Sequence, residues 1–270
     1  MPAGHLLTAD AQLAGYEADG LGYKRFTPDA VAIPANAEEL IALVRLLKNE
    51  SVPYLVRGAG TSLSGGPVAA QRGIIIHLSR LRKIEAIDPE GMFAVVESGV
   101  VLDRLDAALK PLGLYYPPDP SSGPVCTLGG NVASNAGGVH CFRYGVTSNY
   151  VLGVEAVLLD GSVERFGGPA GGRGAWRDDW KRLFIGSEGT LGIFTRFWLR
   201  LVPRPGKVWT FRATYRGIQE VSTAIQRLAI NPASPAAIEL MDPRSVDLVE
   251  SSSMALGLPR GSFMLLTEID

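Results

Sequence analysis

Residues 55–66 read Leu-Val-Arg-Gly-Ala-Gly-Thr-Ser-Leu-Ser-Gly-Gly, and no other stretch constrains the chain as much. An apolar run over 52–56 breaks off at Arg57, and Gly58, Ala59, Gly60, Thr61 and Ser62 follow. Residues this small let a backbone turn tightly after a strand and bring successive N–H groups to one anion. Two standard phosphate loops do not fit. A dinucleotide fingerprint needs glycine three places after Gly60, where Leu63 stands. A P-loop needs Gly-Lys-Ser/Thr, and Gly65-Gly66-Pro67 offers no lysine. The expectation is a strand feeding an anion-cradling loop of another kind. For one glycine cluster alone, a plain surface turn would explain as much.

Two further clusters weaken that bland reading. Residues 117–138 include Gly129-Gly130-Asn131 and Asn135-Ala136-Gly137-Gly138, and 185–194 include Gly186-Ser187-Glu188-Gly189-Thr190-Leu191-Gly192. Val125, Leu128, Val132, Leu191 and Ile193 punctuate them, so they read as ordered loops rather than linkers. Ordered glycine-rich loops hug a ligand or another backbone.

Composition excludes several classes. With 270 residues, 46% of them hydrophobic, the chain can bury more than one core. A net charge of −1 advertises no basic face for nucleic acid. No apolar run approaches a membrane span, and Met1 to Asp19 holds acids without the apolar core of a secretory signal. Three histidines (His5, His77, His140) and two cysteines (Cys126, Cys141) show no HxxxH or CxxC spacing, so a metal site made wholly within this chain is not expected; a disulfide stays open.

Residues 37–49 form an amphipathic helix, with Leu40, Leu43, Val44 and Leu47 on one face, acids opening it and lysine closing it. Strands are predicted at about 53–57, 74–78, 84–88 and 93–98, and a helix over about 102–112. After Pro117 come a helix over about 128–136, a hairpin turning at Asp160-Gly161, a short helix near 177–184 and a strand over 193–202. Two lobes are therefore expected, about 26–116 and 117–205. Pro203-Arg204-Pro205-Gly206 is the clearest boundary. Beyond it, strand 208–214, helix 217–229, strand 236–241, helix 243–250 and strand 262–268 read as the start of a ferredoxin-like α+β unit that stops in mid-strand. Residues 1–12 and 167–175 are expected to be disordered.

The three clusters, in this order over roughly Phe26 to Pro205, resemble the FAD-linked oxidases of the vanillyl-alcohol oxidase/PCMH superfamily. Pro117 to Ser122, Gly129-Gly130-Asn131, Asn135 to Cys141, Tyr144-Gly145-Val146-Thr147 and Gly186 to Gly192 resemble the glycolate-oxidase-like group of FAD-dependent 2-hydroxy-acid dehydrogenases. D-lactate and D-2-hydroxyglutarate dehydrogenases share most of the scaffold; Val139-His140-Cys141 tilts the choice. The resemblance implies an α+β fold: a two-lobed PCMH-type FAD-binding domain over 1–205, then a substrate-covering cap of which 206–270 is only the start. The chain is on that reading a fragment or truncated product, expected to hold FAD without turning over substrate.

By the same resemblance, Arg57, Gly58, Ala59, Gly60, Thr61, Ser62, Leu63 and Ser64 clamp the FAD pyrophosphate, chiefly by backbone N–H groups, although Arg57 could instead pair with a buried carboxylate. Thr61 stands where flavinylated relatives carry histidine, so binding is expected to be non-covalent. Pro118, Asp119, Pro120 and Ser121 line the flavin edge. Gly129, Gly130 and Asn131 open a helix whose dipole can face the cofactor, with Ser134, Asn135, Gly137 and Gly138 after them; tight packing would also explain the glycines. Glu188, Gly189, Gly192 and Ile193 approach the adenine–ribose half, Ile193 mainly as core. His140 tempts as a general base, but a hydrogen-bonded structural role ranks ahead of it, and the catalytic residues are unassigned.

The implied reaction is oxidation of a small 2-hydroxy acid by hydride transfer to flavin N5. A second flavoprotein and iron–sulfur subunits are the implied electron acceptors, in the cytoplasm with reduced thiols or peripheral to the inner membrane through those partners. Two alternatives remain: a flavoenzyme acting on another substrate, as alkyl-dihydroxyacetone-phosphate synthases or enolpyruvyl reductases do, and a flavin-binding subunit that turns nothing over.

Overall fold

The computed structural model describes residues 4–168, 175–232 and 234–270. The chain divides into two compact units: Met1–Tyr116, Ser122–Ala136 and Thr147–Pro203 form one, and Pro117–Ser121, Gly137–Val146 and Arg204–Asp270 the other.

The first unit opens with β1 (Leu6–Leu7), α1 (Asp10–Leu13), β2 (Ala30–Ala32), α2 (Ala37–Asn49), β3 (Tyr54–Arg57) and β4 (Ile74–His77). Strands β2, β4 and β3 run parallel, with β1 antiparallel on the β2 edge. Asn36 caps α2 by accepting from the Glu39 N–H at 2.9 Å, while Glu39 Oε2 reaches back to the Ala35 N–H at 2.9 Å. Leu40, Val44 and Leu47 of α2 pack on Ile76 over one face of the sheet, each such side chain contributing about 1.5–3 kcal/mol by burial. Ile75, one residue away and therefore on the opposite face, packs with Val31, Ala69 and Leu13.

That second face corrects an expectation. Residues 4–12 are not disordered: β1 and α1 lie there, and Leu13 with Leu7 covers the sheet. Elements of two to four residues carry too little periodicity to be read in advance. Part of the other expected disorder, 169–174, lies outside the described residues, and β9 and α6 occupy its flanks.

The chain continues with β5 (Ile84–Asp88), β6 (Phe93–Glu97), α3 (Leu102–Leu109), β7 (Leu114–Tyr115), α4 (Leu128–Ala133), α5 (Cys141–Tyr144, in the second unit), β8 (Val151–Val157), β9 (Val163–Gly167), α6 (Ala175–Phe184), β10 (Ile193–Arg200) and β11 (Val202–Pro203). One antiparallel sheet has the order β5-β6-β10-β8-β9. It joins strands from both sides of Pro117, since Val96 of β6 opposes Phe197 of β10. The division at 116/117 therefore cuts through no gap between sheets. Asp160-Gly161 turns the β8–β9 hairpin as expected, with Gly161 at φ +77°. The expected strand 193–202 breaks at Leu201, after which Val202–Pro203 pairs with β7. The expected helix 128–136 stops at Ala133 because Asn135 is left-handed, at φ +48°, with its Oδ1 accepting the Ser148 N–H at 2.8 Å.

The second unit adds β12 (Trp209–Tyr215), α7 (Ile218–Ala229), β13 (Ala237–Met241), α8 (Pro243–Glu250) and β14 (Phe263–Ile269). Its antiparallel sheet has the order β12-β14-β13, so the last strand lies in the middle. Asp242 caps α8 by accepting the Ser245 N–H at 2.7 Å, and Val246 of that helix packs with Leu258 and Met264.

Candidate functional site

In the first unit β3 delivers its last residue, Arg57, into a pocket of carbonyls. The Arg57 Nη1 donates to Ala18 O at 2.8 Å, Pro67 O at 3.1 Å and Tyr16 O at 3.3 Å. The side chain is 7% exposed, and burial pushes its guanidinium pKa down against the opposing pull of Tyr16 and Asp19. Among the described residues its hydrogen-bond partners are thus main-chain carbonyls, not a buried carboxylate. Gly60, at φ +75°, sits directly on that guanidinium. Gly58 is pressed against Thr127, the residue that caps α4.

The segment ahead of the loop holds its other side. Ser62 O accepts the Gly20 N–H at 2.9 Å, and Asp19 Oδ2 accepts the Gly65 N–H at 2.9 Å. Partial desolvation works to raise the Asp19 pKa, but the N–H groups of Gly65, Gly22 and Leu21 outweigh it and hold the carboxyl low. The loop is therefore pinned at both ends and by its carbonyls. Among the described residues, the N–H groups of Ala59, Gly60, Thr61, Ser62 and Leu63 have no hydrogen-bond partner. Five successive unspent donors on a fixed loop are suited to an anion with several oxygens.

The second cluster reaches this loop by a different route from the one expected. The first N–H groups of α4 are already spent: Leu128 on Val100 O at 2.8 Å, Gly129 on Ser98 O at 2.7 Å, and Gly130 on Thr127 Oγ1 at 3.3 Å. A Cβ on Gly129 would come within 2.8 Å of Ser98 O, so close packing requires glycine there. Asn131 is buried on the helix, Ser134 Oγ donates to Gly130 O at 2.9 Å, and the buried Ser98 Oγ has no partner among the described residues.

The far end of α4 anchors the third cluster. Val132 O accepts the Gly186 N–H at 3.0 Å and Ala133 O accepts the Glu188 N–H at 2.8 Å. Glu188 is left-handed at φ +53°, and its Oε2 lies 3.6 Å from where a Gly66 Cβ would stand. Gly189 is left-handed too, at φ +78°. Gly192 abuts Val157 O, and Ile193 is core, packed in the cluster that contains Leu40. Within one unit, then, the 57–66 loop, α4 and the 186–192 loop converge.

Pro118, Asp119, Pro120, Ser121, Gly137 and Gly138 belong to the second unit. Gly138 lies tight against Asp119, and its N–H approaches Cys141 Sγ at 3.0 Å. His140 stands between two acids: Nδ1 is 2.5 Å from Asp119 Oδ2, and Nε2 is 2.9 Å from Glu268 Oε2. The Asp119 contact chiefly, against desolvation and with Glu268 assisting, lifts the His140 pKa to about 9. One turn on, Arg143 Nη1 meets Asp270 Oδ1 at 2.6 Å, and the Tyr144 hydroxyl donates to Asp270 Oδ2. Glu268 and Asp270 were not singled out from the sequence. Their signal is an acid pair spaced two apart at the end of a strand, and a His/Arg pair spaced three apart at the start of a short helix. Among the described residues, no group of three or more His, Cys, Asp and Glu side chains is arranged to hold a metal ion.

Residues 28–167 match a family described as an FAD binding domain. The chain is 36% identical over 271 residues to glycolate oxidase subunit GlcD of Escherichia coli, covering all of this chain and 54% of that protein. It is 34% identical over 223 residues to D-lactate dehydrogenase of Archaeoglobus fulgidus, covering 83% of this chain and 49% of that one. The chain thus spans about half the length of these relatives. A solved alkyldihydroxyacetonephosphate synthase superposes with a TM-score of 0.82 over 100% of this chain and 53% of its own, at 20% identity, which speaks for the fold.

Proposed function

The chain belongs to the FAD-linked oxidases that share this FAD binding domain, and from that premise we propose that it holds FAD non-covalently as part of an enzyme oxidising a small 2-hydroxy acid of the glycolate or D-lactate type. The observation that carries the reading is the loop after β3. Its five unspent N–H groups, Ala59 to Leu63, fit a pyrophosphate, which has two charges and several oxygens to satisfy. Gly58 and Gly60 admit no side chain, so the backbone stays open to approach.

Within the first unit, Ala59 to Leu63 would hold the pyrophosphate, with the Thr61 and Ser62 hydroxyls adding donors. Gly130, Asn131, Ser134 and Asn135 on and after α4, and Glu188, Gly189 and Gly192, are assigned to the rest of the nucleotide. Arg57 and Gly129 serve by holding the loop and helix in place. In the second unit, Pro118 to Ser121 with Gly137 and Gly138 are assigned to the flavin, and residues 206–270 to the substrate-covering cap.

FAD, once bound, would supply the two-electron oxidant for this reaction, a hydride acceptor at N5 for the substrate's Cα. The substrate's hydroxyl proton must leave separately. His140 is not assigned to take it: both ring nitrogens face carboxylates, and the pKa they lift to about 9 favours the protonated ring at neutral pH. Partner subunits that carry the electrons onward, a second flavoprotein and an iron–sulfur protein, are part of this reading, as is a cytoplasmic setting peripheral to the membrane through them. Among the described residues no helix is long and apolar enough to cross a membrane.

The test is to titrate the purified chain with FAD and follow flavin fluorescence, then mix the complex anaerobically with glycolate, D-lactate and D-2-hydroxyglutarate. FAD binding with bleaching by one of these acids supports the reading. No FAD binding sinks it, and bound FAD that none of the three reduces, in this chain or joined to the remaining half seen in its relatives, removes the substrate class.

A further inference from the structure

Glu268 lies outside every glycine-rich motif, yet it makes one of the two carboxylate contacts to His140. Four elements of the second unit meet around that ring. Residues 117–121 bring Asp119, whose Oδ1 also lies 3.4 Å from the His140 N–H. Strand β14 brings Glu268, whose other oxygen accepts from Thr210 of β12 at 3.2 Å. Helix α5 brings the Tyr144 ring, edge-on at 6.4 Å, and Arg143, which is committed to Asp270. Strand β13 packs against α5 as well; its one charged residue, Glu239, makes no bond to His140 among the described residues.

We propose that Glu268 is a positioning residue: with Asp119 it fixes His140 as an imidazolium, and this charged brace holds residues 117–121 and 137–146 in the conformation that binds flavin. The proposal rests on the assignment of those two segments to FAD made above. The geometry argues for it in three ways. The two carboxylates face different nitrogens, Glu268 through a hydrogen bond and Asp119 through a close ion-pair contact outside hydrogen-bond geometry, so together they set the ring between them. His140 side-chain exposure is 21%, so the pair of contacts is only partly screened by solvent. Both segments carry close glycine contacts, Gly138 on Asp119 and Gly137 on Cys141, so a shift of His140 would displace their backbone. A neutral ring could donate to only one of the two acids and would leave the other facing a lone pair.

The experiment uses the 270-residue chain with Glu268→Gln and Asp119→Asn, which keep size and remove charge. Ring signals of His140, identified by their loss in His140→Gln, are titrated by NMR. Amide exchange of 137–146 is followed without FAD, and FAD release is followed against pH. In the parent chain His140 is expected to titrate near 9. In Glu268→Gln the midpoint should fall by about one pH unit, exchange in 137–146 should quicken about tenfold, and FAD release should set in at correspondingly lower pH. Asp119→Asn should act in the same direction and further, because Asp119 is the larger cause of the shift.

Titration of parent His140 near 6.5, or a Glu268→Gln chain whose midpoint and exchange are unchanged, overturns the brace. An unchanged pH profile of FAD release in a variant whose His140 has shifted overturns its link to the cofactor. If the parent chain shows the high midpoint but binds no FAD, the brace stands and the functional reading above fails. The two can thus be told apart.

Discussion

Nε2 of His140 lies 2.9 Å from Oε2 of Glu268, a contact that spans 128 residues of sequence. With Asp119 Oδ2 2.5 Å from the other nitrogen, it places the one histidine beside a glycine motif between two carboxylates.

The pH dependence of stability follows with a definite sign. His140 has its folded pKa raised from 6.5 to about 9. The folded state therefore binds the proton more tightly than the unfolded chain, and the stabilisation is fully present below 6.5 and lost as pH rises through about 9. Thermal melts of the parent chain should decline across that window, and melts of His140→Gln should decline less. Parallel curves for the two proteins would mean that the ring is not charged in the folded state.

Flavin should come off the protein completely on acid precipitation. On the resemblance drawn from the sequence, Thr61 stands where flavinylated relatives carry histidine, and it has a hydroxyl and no ring nitrogen to bond the isoalloxazine. All flavin absorbance is expected in the supernatant. Colour in the washed pellet would show attachment through some other residue.

Gly60 and Gly65 make a matched pair of substitutions. Both are left-handed, at φ +75° and +84°, but Gly60 sits on the Arg57 guanidinium whereas a Cβ on Gly65 would meet nothing within 4 Å. Gly65→Ala should cost about 1 kcal/mol, the strain of a left-handed alanine, and leave FAD affinity nearly intact. Gly60→Val adds the collision and crowds the open N–H groups, so FAD binding should be lost. Equal FAD affinity in the two variants, measured by fluorescence titration, would reduce the loop to a turn.

How much of this was legible depended on distance along the chain. Helix α2, the hairpin at Asp160-Gly161 and the strand–helix alternation after Pro205 announce themselves locally, through periodicity and turn chemistry, and the structure has them within a residue or two. The pairing of β6 with β10 joins residues about a hundred apart, and no local signal carries that; hence the false seam at 117. The tight loop after β3 was legible because only small residues allow such a run of turns with free N–H groups. What fixes Arg57 was not, because carbonyls of Tyr16, Ala18 and Pro67 have no side-chain signature. The same holds for α4: its glycines suggested an open helix terminus, but Ser98, Val100 and Thr127 had already taken the N–H groups.

Arg57 provides the sharpest separation between holding the loop and touching the anion. Its Nη1 serves three main-chain carbonyls at 2.8–3.3 Å, and its guanidinium supports Gly60 from beneath. Replacing it by methionine keeps the bulk, strands those carbonyls and should destabilise the chain by about 1–3 kcal/mol. Lysine should rescue little, since one ammonium on a flexible stem cannot reproduce the planar fork. If Arg57 acts through the loop, FAD affinity and the amide protection of Gly20 and Gly65, whose N–H groups pin the loop, should fall together in both variants, with the unfolding midpoint. If instead Arg57→Met loses FAD affinity while protection and unfolding stay as in the parent, the side chain contacts the phosphate directly and does not act by holding the loop.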